Sequence, residues 1–290
     1  MTKKRIYFEN CIVKMLETKE LEKIAIEVRK RLMRMIYEAK GGHTGGSLSS
    51  VDVLVALYFN IMRIDAKNPK WEGRDRFILS KGHSVEGYFC VLEKAGFITE
   101  EILASYGKFQ SLLAGHPTVK VPGVEVNSGA LGHGLAVGVG MALAAKRDKK
   151  DTCVYVLMGD GEQGEGSIME AANAGGHYHL DNLTAIIDRN RLQISGNTED
   201  VMALDCLESR WSAYGWGVKQ IDGNNMQEVI DTFKSLPVEN DKPTLILANT
   251  VKGKGVSFIE NKADWHHKVP SEEQYLQSIE ELDKQLEGIN

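Results

Sequence analysis

Cysteine, proline and long apolar runs are scarce in this chain, and each scarcity excludes something. The four cysteines in 290 residues are far apart, with no CxxC pair and no Cys/His ligand spacing. That excludes a disulfide-stapled secreted scaffold and a thiolate zinc site. Cys90 and Cys153 stand in apolar surroundings and read as buried free thiols, so a reduced, cytoplasmic setting is expected. The six prolines form no Pro/Ser linker, and no internal repeat is found; one domain over residues 1–290 is the simplest division. The longest gently apolar stretch, residues 135–145, is 11 residues, too short to span a bilayer. The opening MTKKRIYFEN leads into charged helix rather than the apolar segment of a signal peptide. Lys and Arg are dispersed and the net charge is −5, which argues against nucleic acid or an anionic membrane as partner.

What is present is an alternation of helix and strand. Leu21, Ile24, Ala25, Val28, Leu32, Met35 and Ile36 recur at helical spacing between charged residues. They predict an amphipathic helix ending near Gly41-Gly42. The run RFILS at 76–80 predicts a strand leading into the loop KGHS. Residues 131–145, rich in Gly and Ala, predict a buried, closely packed helix. Four further strands are predicted at TCVYVLM (152–158), LTAIID (183–188), WGVKQID (216–222) and TLILANT (244–250), with helical stretches between them, one near 226–236. Such continuously apolar strands indicate burial on both faces and hence a parallel sheet. After Pro270, Ser271 and Gln274 suit a capping box, and Tyr275, Ile279, Leu282 and Leu286 mark one face of a last helix. The expected fold is α/β: a parallel sheet flanked by helices on both faces, with N- and C-terminal helical extensions.

Two of these strands end on oxygen-bearing side chains. The first breaks at Gly159-Asp160-Gly161, and after one helix the second breaks at Asp188-Arg189-Asn190. In a parallel sheet, ligands collect outside the carboxyl ends of the strands, so neighbouring strands would bring Asp160 and Asn190 to one crevice. A carboxylate and an amide oxygen are hard ligands, suited to Mg²⁺ or Ca²⁺, and a pair this small needs water or phosphate oxygens to complete the shell. The flanking glycines let backbone N–H groups approach phosphate at the start of a helix. The pattern points to metal plus polyphosphate. His177 and His179 resemble a metal pair, but helical positions two apart do not face each other.

The ordered set KGGHTGG (40–46), GRDRFILSKGHS (73–84), AGHP (114–117), PGVEVNSGALGHG (122–134), the block from GDG to Asn190, and KGKGVSFIENKADWHHKVP (252–270) resembles the transketolases among the thiamine-diphosphate enzymes. The resemblance implies transfer of a two-carbon ketol unit from a ketose phosphate to an aldose phosphate. It makes Asp160, Asn190 and the Leu192 carbonyl metal ligands. It sets Gly159, Asp160, Gly161, Glu162, Asn190 and Lys252 about the cofactor's diphosphate, though a solvated loop lysine is the other reading of Lys252. Gly129, Ala130 and Leu131 would touch its two rings. His43, His83, His116 and His266 would line the thiazolium and sugar channel, where His83 and His266 also meet the cofactor. Glu165 and Glu170 match glutamates near a subunit contact, one of which pairs with the cofactor-activating glutamate. The chain departs from the pattern at Ala130 (often Pro), His133 (often Gln), Arg189 (often Asp or Asn) and His267 (Gly), which leaves His266 and His267 as rivals.

Transketolases are more than twice this length, so the chain resembles their N-terminal half. A partner chain carrying the pyrimidine-binding domain is expected, in an α₂β₂ assembly. The sequence leaves open which ketose is used. Two other readings are a subunit of a deoxyxylulose-phosphate synthase-like enzyme and a non-catalytic regulatory relic.

Overall fold

In the computed structural model, which describes residues 15–204 and 206–289, the apolar runs pair as five parallel strands. Cys11 and the MTKKRIYFEN segment lie outside the described residues. The strands are β1 (Arg76–Leu79), β2 (Val154–Gly159), β3 (Leu183–Arg189), β4 (Gly217–Asp222) and β5 (Thr244–Asn249), in the spatial order β1-β2-β3-β5-β4. The register sets Gly159 opposite Asp188 and Arg189 opposite Asn249, so β2, β3 and β5 end level at one rim. That adjacency carries Asp160 and Asn190 to the same rim.

Helices cover both faces of the sheet, as the fold class expected. One face packs on α1 (Thr18–Ala39), α2 (Thr44–Ser49), α3 (Val51–Ala56), α4 (Val85–Lys94), α7 (Met226–Lys234) and α8 (Glu272–Ile289). The other packs on α5 (His133–Arg147), α6 (Gly166–His177) and the buried Trp211 and Trp216, whose rings meet edge to face at 4.8 Å. Helix α1 closes at Lys40, which takes the left-handed conformation just before the predicted glycine pair. The expected capping box of α8 forms: the Ser271 N–H donates to Gln274 Oε1 at 3.0 Å and the Gln274 N–H to Ser271 Oγ at 3.2 Å. The terminal helices are not appendages, because Leu21 and Leu282 share one core cluster and Tyr37 stacks on Tyr275 at 4.6 Å.

Three expectations need correcting. Strand β4 is not buried on both faces: it lies at a sheet edge, where Lys219 and Gln220 are exposed and the lysine discourages further strand pairing. Helix α5 buries one face only, leaving Ala136, Val137, Gly140 and Ala144 exposed. Cys90 is buried, but Cys153 is only half-buried at the start of β2. No helix among the described residues is long and apolar enough to cross a membrane.

Candidate active site

A cavity of about 380 Å³ opens at the rim where β2, β3 and β5 end, within the size range of small-molecule sites. Asp160, Glu162, Asn190, Leu192, Lys252, His43, His83 and His266 line it, together with Gly129, Leu131, Gly159 and Gly161. A cavity of equal volume between α1 and α8 contains none of the predicted site residues.

The oxygen cluster is held by backbone donors. Asp160 Oδ1 accepts the Gly161 N–H at 2.8 Å, and Oδ2 accepts the Arg191 N–H at 2.6 Å. Burial and the neighbouring Asp188 carboxylate push the Asp160 carboxyl above the usual range, so a cation there would be welcome. Asn190 donates through Nδ2 to Asp188 at 3.2 Å and accepts the Leu192 N–H on Oδ1 at 3.2 Å, which fixes which end of the amide is oxygen. The Leu192 carbonyl accepts from Lys252 Nζ at 2.9 Å, so a cation of the chain already rests on the third predicted ligand. Two buried side-chain oxygens and one carbonyl suit a hard divalent cation completed by water and phosphate. Among the described residues no group of three or more His, Cys, Asp and Glu is set to hold a metal.

The positive side of the cavity is stronger than the sequence suggested. Lys252 is buried, 1% exposed, which rules out the solvated-loop reading. Burial and the Lys81 charge lower its ammonium to about 8. Lys81, also buried, forms a short ion pair with Asp188 and donates to the Gly46 carbonyl at 2.9 Å. Asp188 itself is held below the usual carboxylate range, against its burial, by Lys81 and the hydroxyls of Ser49 and Thr250. Neither Lys81 nor Asp188 was singled out from sequence, although Lys81 opens the KGHS run and Asp188 ends an apolar strand. Gly46 lies beside both His83 and Lys81: a β-carbon there would stand 3.8 Å from His83 Nε2 and from Lys81 Nζ.

The histidines converge. Ring centroids of His43 and His83 are 5.2 Å apart, His43 and His266 5.7 Å, and His83 and His266 5.4 Å. His116 is exposed and does not line the cavity, its ring centroid 6.5 Å from that of His43. His266 lines the cavity with Nδ1 2.8 Å from Lys252 Nζ, whereas His267 is exposed, though its ring is 4.6 Å from His43. The geometry therefore favours His266. Burial lowers His43 to about 4 and His266 to about 3, with nearby positive charge adding to the effect, and lowers His83 for the same reasons. All three imidazoles are thus neutral near pH 7 and able to accept a proton.

Some predicted residues are placed elsewhere. Glu162 faces the cavity, but its oxygens are taken: Oε1 accepts from the Ser80 hydroxyl and from the Gly132 N–H at 2.8 Å, and Oε2 from the Gly159 N–H at 3.1 Å. It clamps the ends of β1 and β2 to the turn before α5. Gly132, at φ 83, makes this possible, since a β-carbon there would stand 2.6 Å from that of Glu165. The amides of Gly159 and Gly161 are likewise engaged by the chain itself, and a 3-10 turn (Gly161–Gly164) separates them from α6. Ala130, Glu165 and Glu170 are exposed and do not line the cavity. Arg189 points to Glu199 and lies 3.6 Å from Asp160 Oδ2. The lip formed by Gln193, Ile194 and Ser195 was not foreseen; it is the tip of a two-residue-per-strand antiparallel hairpin that pairs Leu192 with Asn197 and Gln193 with Gly196.

Paired hard oxygens at adjacent strand ends, buried lysines and a cluster of neutral histidines give the cavity the chemistry of a site for a phosphorylated cofactor. Residues 21–282 match the family described as transketolase, thiamine diphosphate binding domain, and the chain belongs to that family. It is 56% identical over 273 residues to a subunit of the apulose-4-phosphate transketolase of Phocaeicola vulgatus, covering 94% of this chain and 96% of that one. It is 39% identical over 267 residues to the 6-deoxy-6-sulfo-D-fructose transketolase subunit SqwG of a Clostridium species, covering 92% and 97%. Human transketolase is 37% identical over 251 residues, 86% of this chain but 40% of that protein. The crystal structure of Campylobacter jejuni transketolase superposes with a TM-score of 0.87 at 30% identity, covering 92% of this chain and 43% of that one.

Lys252→Met should weaken thiamine diphosphate binding in the presence of Mg²⁺ by about 10- to 100-fold, the range expected on losing one charge-assisted hydrogen bond. Calorimetric titration of the assembled enzyme measures it. Unchanged affinity would leave Lys252 as a purely internal prop of Leu192 and His266.

Proposed function

We propose that this chain is the diphosphate-binding subunit of a two-chain cytoplasmic transketolase. It would work with thiamine diphosphate and Mg²⁺ on a ketose phosphate donor and an aldose phosphate acceptor. The observation that carries this reading is the convergence of three neutral histidines on the cavity that holds Asp160 and Asn190. Thiamine diphosphate, when bound, supplies the carbon nucleophile and electron sink that side chains lack. Asp160, Asn190 and the Leu192 carbonyl would hold the metal, and Lys252 would face the diphosphate. His43, His83 and His266 would take protons from sugar hydroxyls and return them, with His116 assisting from outside the cavity.

The two-chain reading draws support from length: the chain spans nearly all of each bacterial subunit compared above but under half of the full-length transketolases. It also draws support from surface chemistry. Val137 and Met169 are 37% and 40% exposed on α5 and α6, and Ile194 is 73% exposed at the cavity lip. Glu165, at the start of α6, and Glu170, within it, are exposed as well, and such a surface would suit a partner carrying the pyrimidine-binding half in an α₂β₂ assembly. Given the 56% identical relative, apulose 4-phosphate is the first donor to test. The reconstituted pair, offered apulose 4-phosphate, xylulose 5-phosphate or pyruvate with an aldose phosphate, should transfer a ketol unit from a sugar phosphate without releasing CO₂. Decarboxylation of pyruvate as the main reaction would favour the synthase-like alternative, and inertness toward all three the relic.

A further inference from the structure

Glu86, in the first turn of α4, is 0% exposed and does not line the cofactor cavity. Three donors converge on its carboxylate: the His43 N–H at 3.0 Å and the Tyr106 hydroxyl at 2.9 Å on Oε1, and the Ser47 hydroxyl at 2.8 Å on Oε2. Its ion-pair partner among the described residues is His43, whose Nδ1 stands 4.0 Å from Oε1. Gly42 gives the carboxylate room, since a β-carbon there would stand 2.8 Å from Oε1. A buried carboxylate costs free energy unless hydrogen-bonded and charge-compensated. Here the hydrogen bonds are present, and among the described residues the cation within ion-pair distance is His43 once it takes a proton.

We infer that Glu86 is the positioning residue and counter-charge of His43, fixing its loop through the backbone N–H and stabilising the imidazolium when His43 holds a proton. The inference rests on the proposed role of His43 in the sugar channel. The other groups around that ring oppose protonation: Lys81 and His83 from the turn before α4, His116 from its loop, Lys252, and the pair His266 and His267. Burial raises the Glu86 carboxyl, but the hydrogen bonds from Ser47, Tyr106 and the His43 N–H favour its charged form. As an anion it opposes those groups, and an opposite charge at about 4–6 Å raises a histidine's proton affinity by about one pH unit or more. An amide at this position could satisfy the same neighbours, because the Ser47 hydroxyl can turn to accept from it. The carboxylate is needed for its charge.

The test compares wild type, Glu86→Gln and Glu86→Asp in the assembled two-chain enzyme, by histidine-selective NMR titration and by the pH profile of kcat/KM. In Glu86→Gln the His43 titration and the limb of the profile it governs should both move to lower pH by about one unit, with thiamine diphosphate affinity unchanged. The direction is the same whether His43 serves as acid or as base. Glu86→Asp keeps the charge and should keep the limb near its wild-type position, even with a lower plateau. A Glu86→Gln variant that loses rate equally at every pH, with His43 titrating as in wild type, would overturn the inference. So would a Glu86→Asp variant whose limb moves a full unit, and that comparison decides the matter if the glutamine variant misfolds. His43→Ala tests the site reading separately: normal turnover there removes His43 from the channel, while the NMR titration still reports on its pairing with Glu86.

Discussion

Asp160→Ala should abolish tight thiamine diphosphate binding, by at least about 100-fold in affinity, and leave the fold standing. Mg²⁺ cannot be caged by the Asn190 amide and the Leu192 carbonyl alone, and the diphosphate in turn depends on the metal to offset its charge. Metal and cofactor affinities should therefore fall together, each titration in the variant becoming insensitive to the other component. The fold is expected to survive because the Asp160 carboxyl sits at the rim of the sheet, already disfavoured by burial and by Asp188. Its loss frees two rim amides, those of Gly161 and Arg191, which water can reach in an open cavity. Calorimetric titration of the assembled enzyme with cofactor and Mg²⁺, beside a thermal melt, separates the two effects. Wild-type affinity in the variant would remove Asp160 from the metal site.

The sheet was legible because its strands, β4 excepted, are largely apolar runs, and the rim because Asp160 follows β2 and Asn190 follows β3. The ordering of β2 beside β3 is what a short strand–helix–strand connection gives, so the meeting of Asp160 and Asn190 followed from sequence. Lys81 and Asp188 escaped notice for a physical reason. A buried ion pair spanning two elements leaves no periodic trace, and each half alone reads as a loop or strand-end charge. Glu86 was hidden in the same way: on α4 it occupies what the helical pattern treats as an ordinary polar position, and only the approach of His43 and Tyr106 gives it meaning. The clamp made by Glu162 was equally invisible, since its partners Ser80 and Gly132 are remote in sequence. The exposed face of α5 was misread because small apolar residues look the same from sequence whether they pack within one chain or await another.

The purified chain, supplied with ketose donor, aldose acceptor, thiamine diphosphate and Mg²⁺, should show no transketolase turnover, and addition of a partner carrying the pyrimidine-binding half should restore it. The cavity explains why. Its lining offers lysines, histidines and oxygens for the diphosphate end of the cofactor, yet among the described residues it includes no Phe, Tyr or Trp against which a pyrimidine ring could stack. The carboxylates within it are also committed. Asp160 belongs to the proposed metal set, and Glu162 accepts three hydrogen bonds from the chain. Neither is left to polarise a pyrimidine nitrogen, and Glu165 and Glu170 lie outside on the exposed surface. On the proposed two-chain reading the activating carboxylate and the ring pocket would arrive across an interface, and the exposed Ile194, Val137 and Met169 are the apolar residues on which that surface would seat. Sedimentation of the mixture should show a complex twice the size of one pair, and turnover should rise with partner concentration until the two chains are equimolar. Full turnover by this polypeptide alone would sink the two-chain reading, because it would place both halves of the cofactor site on one chain.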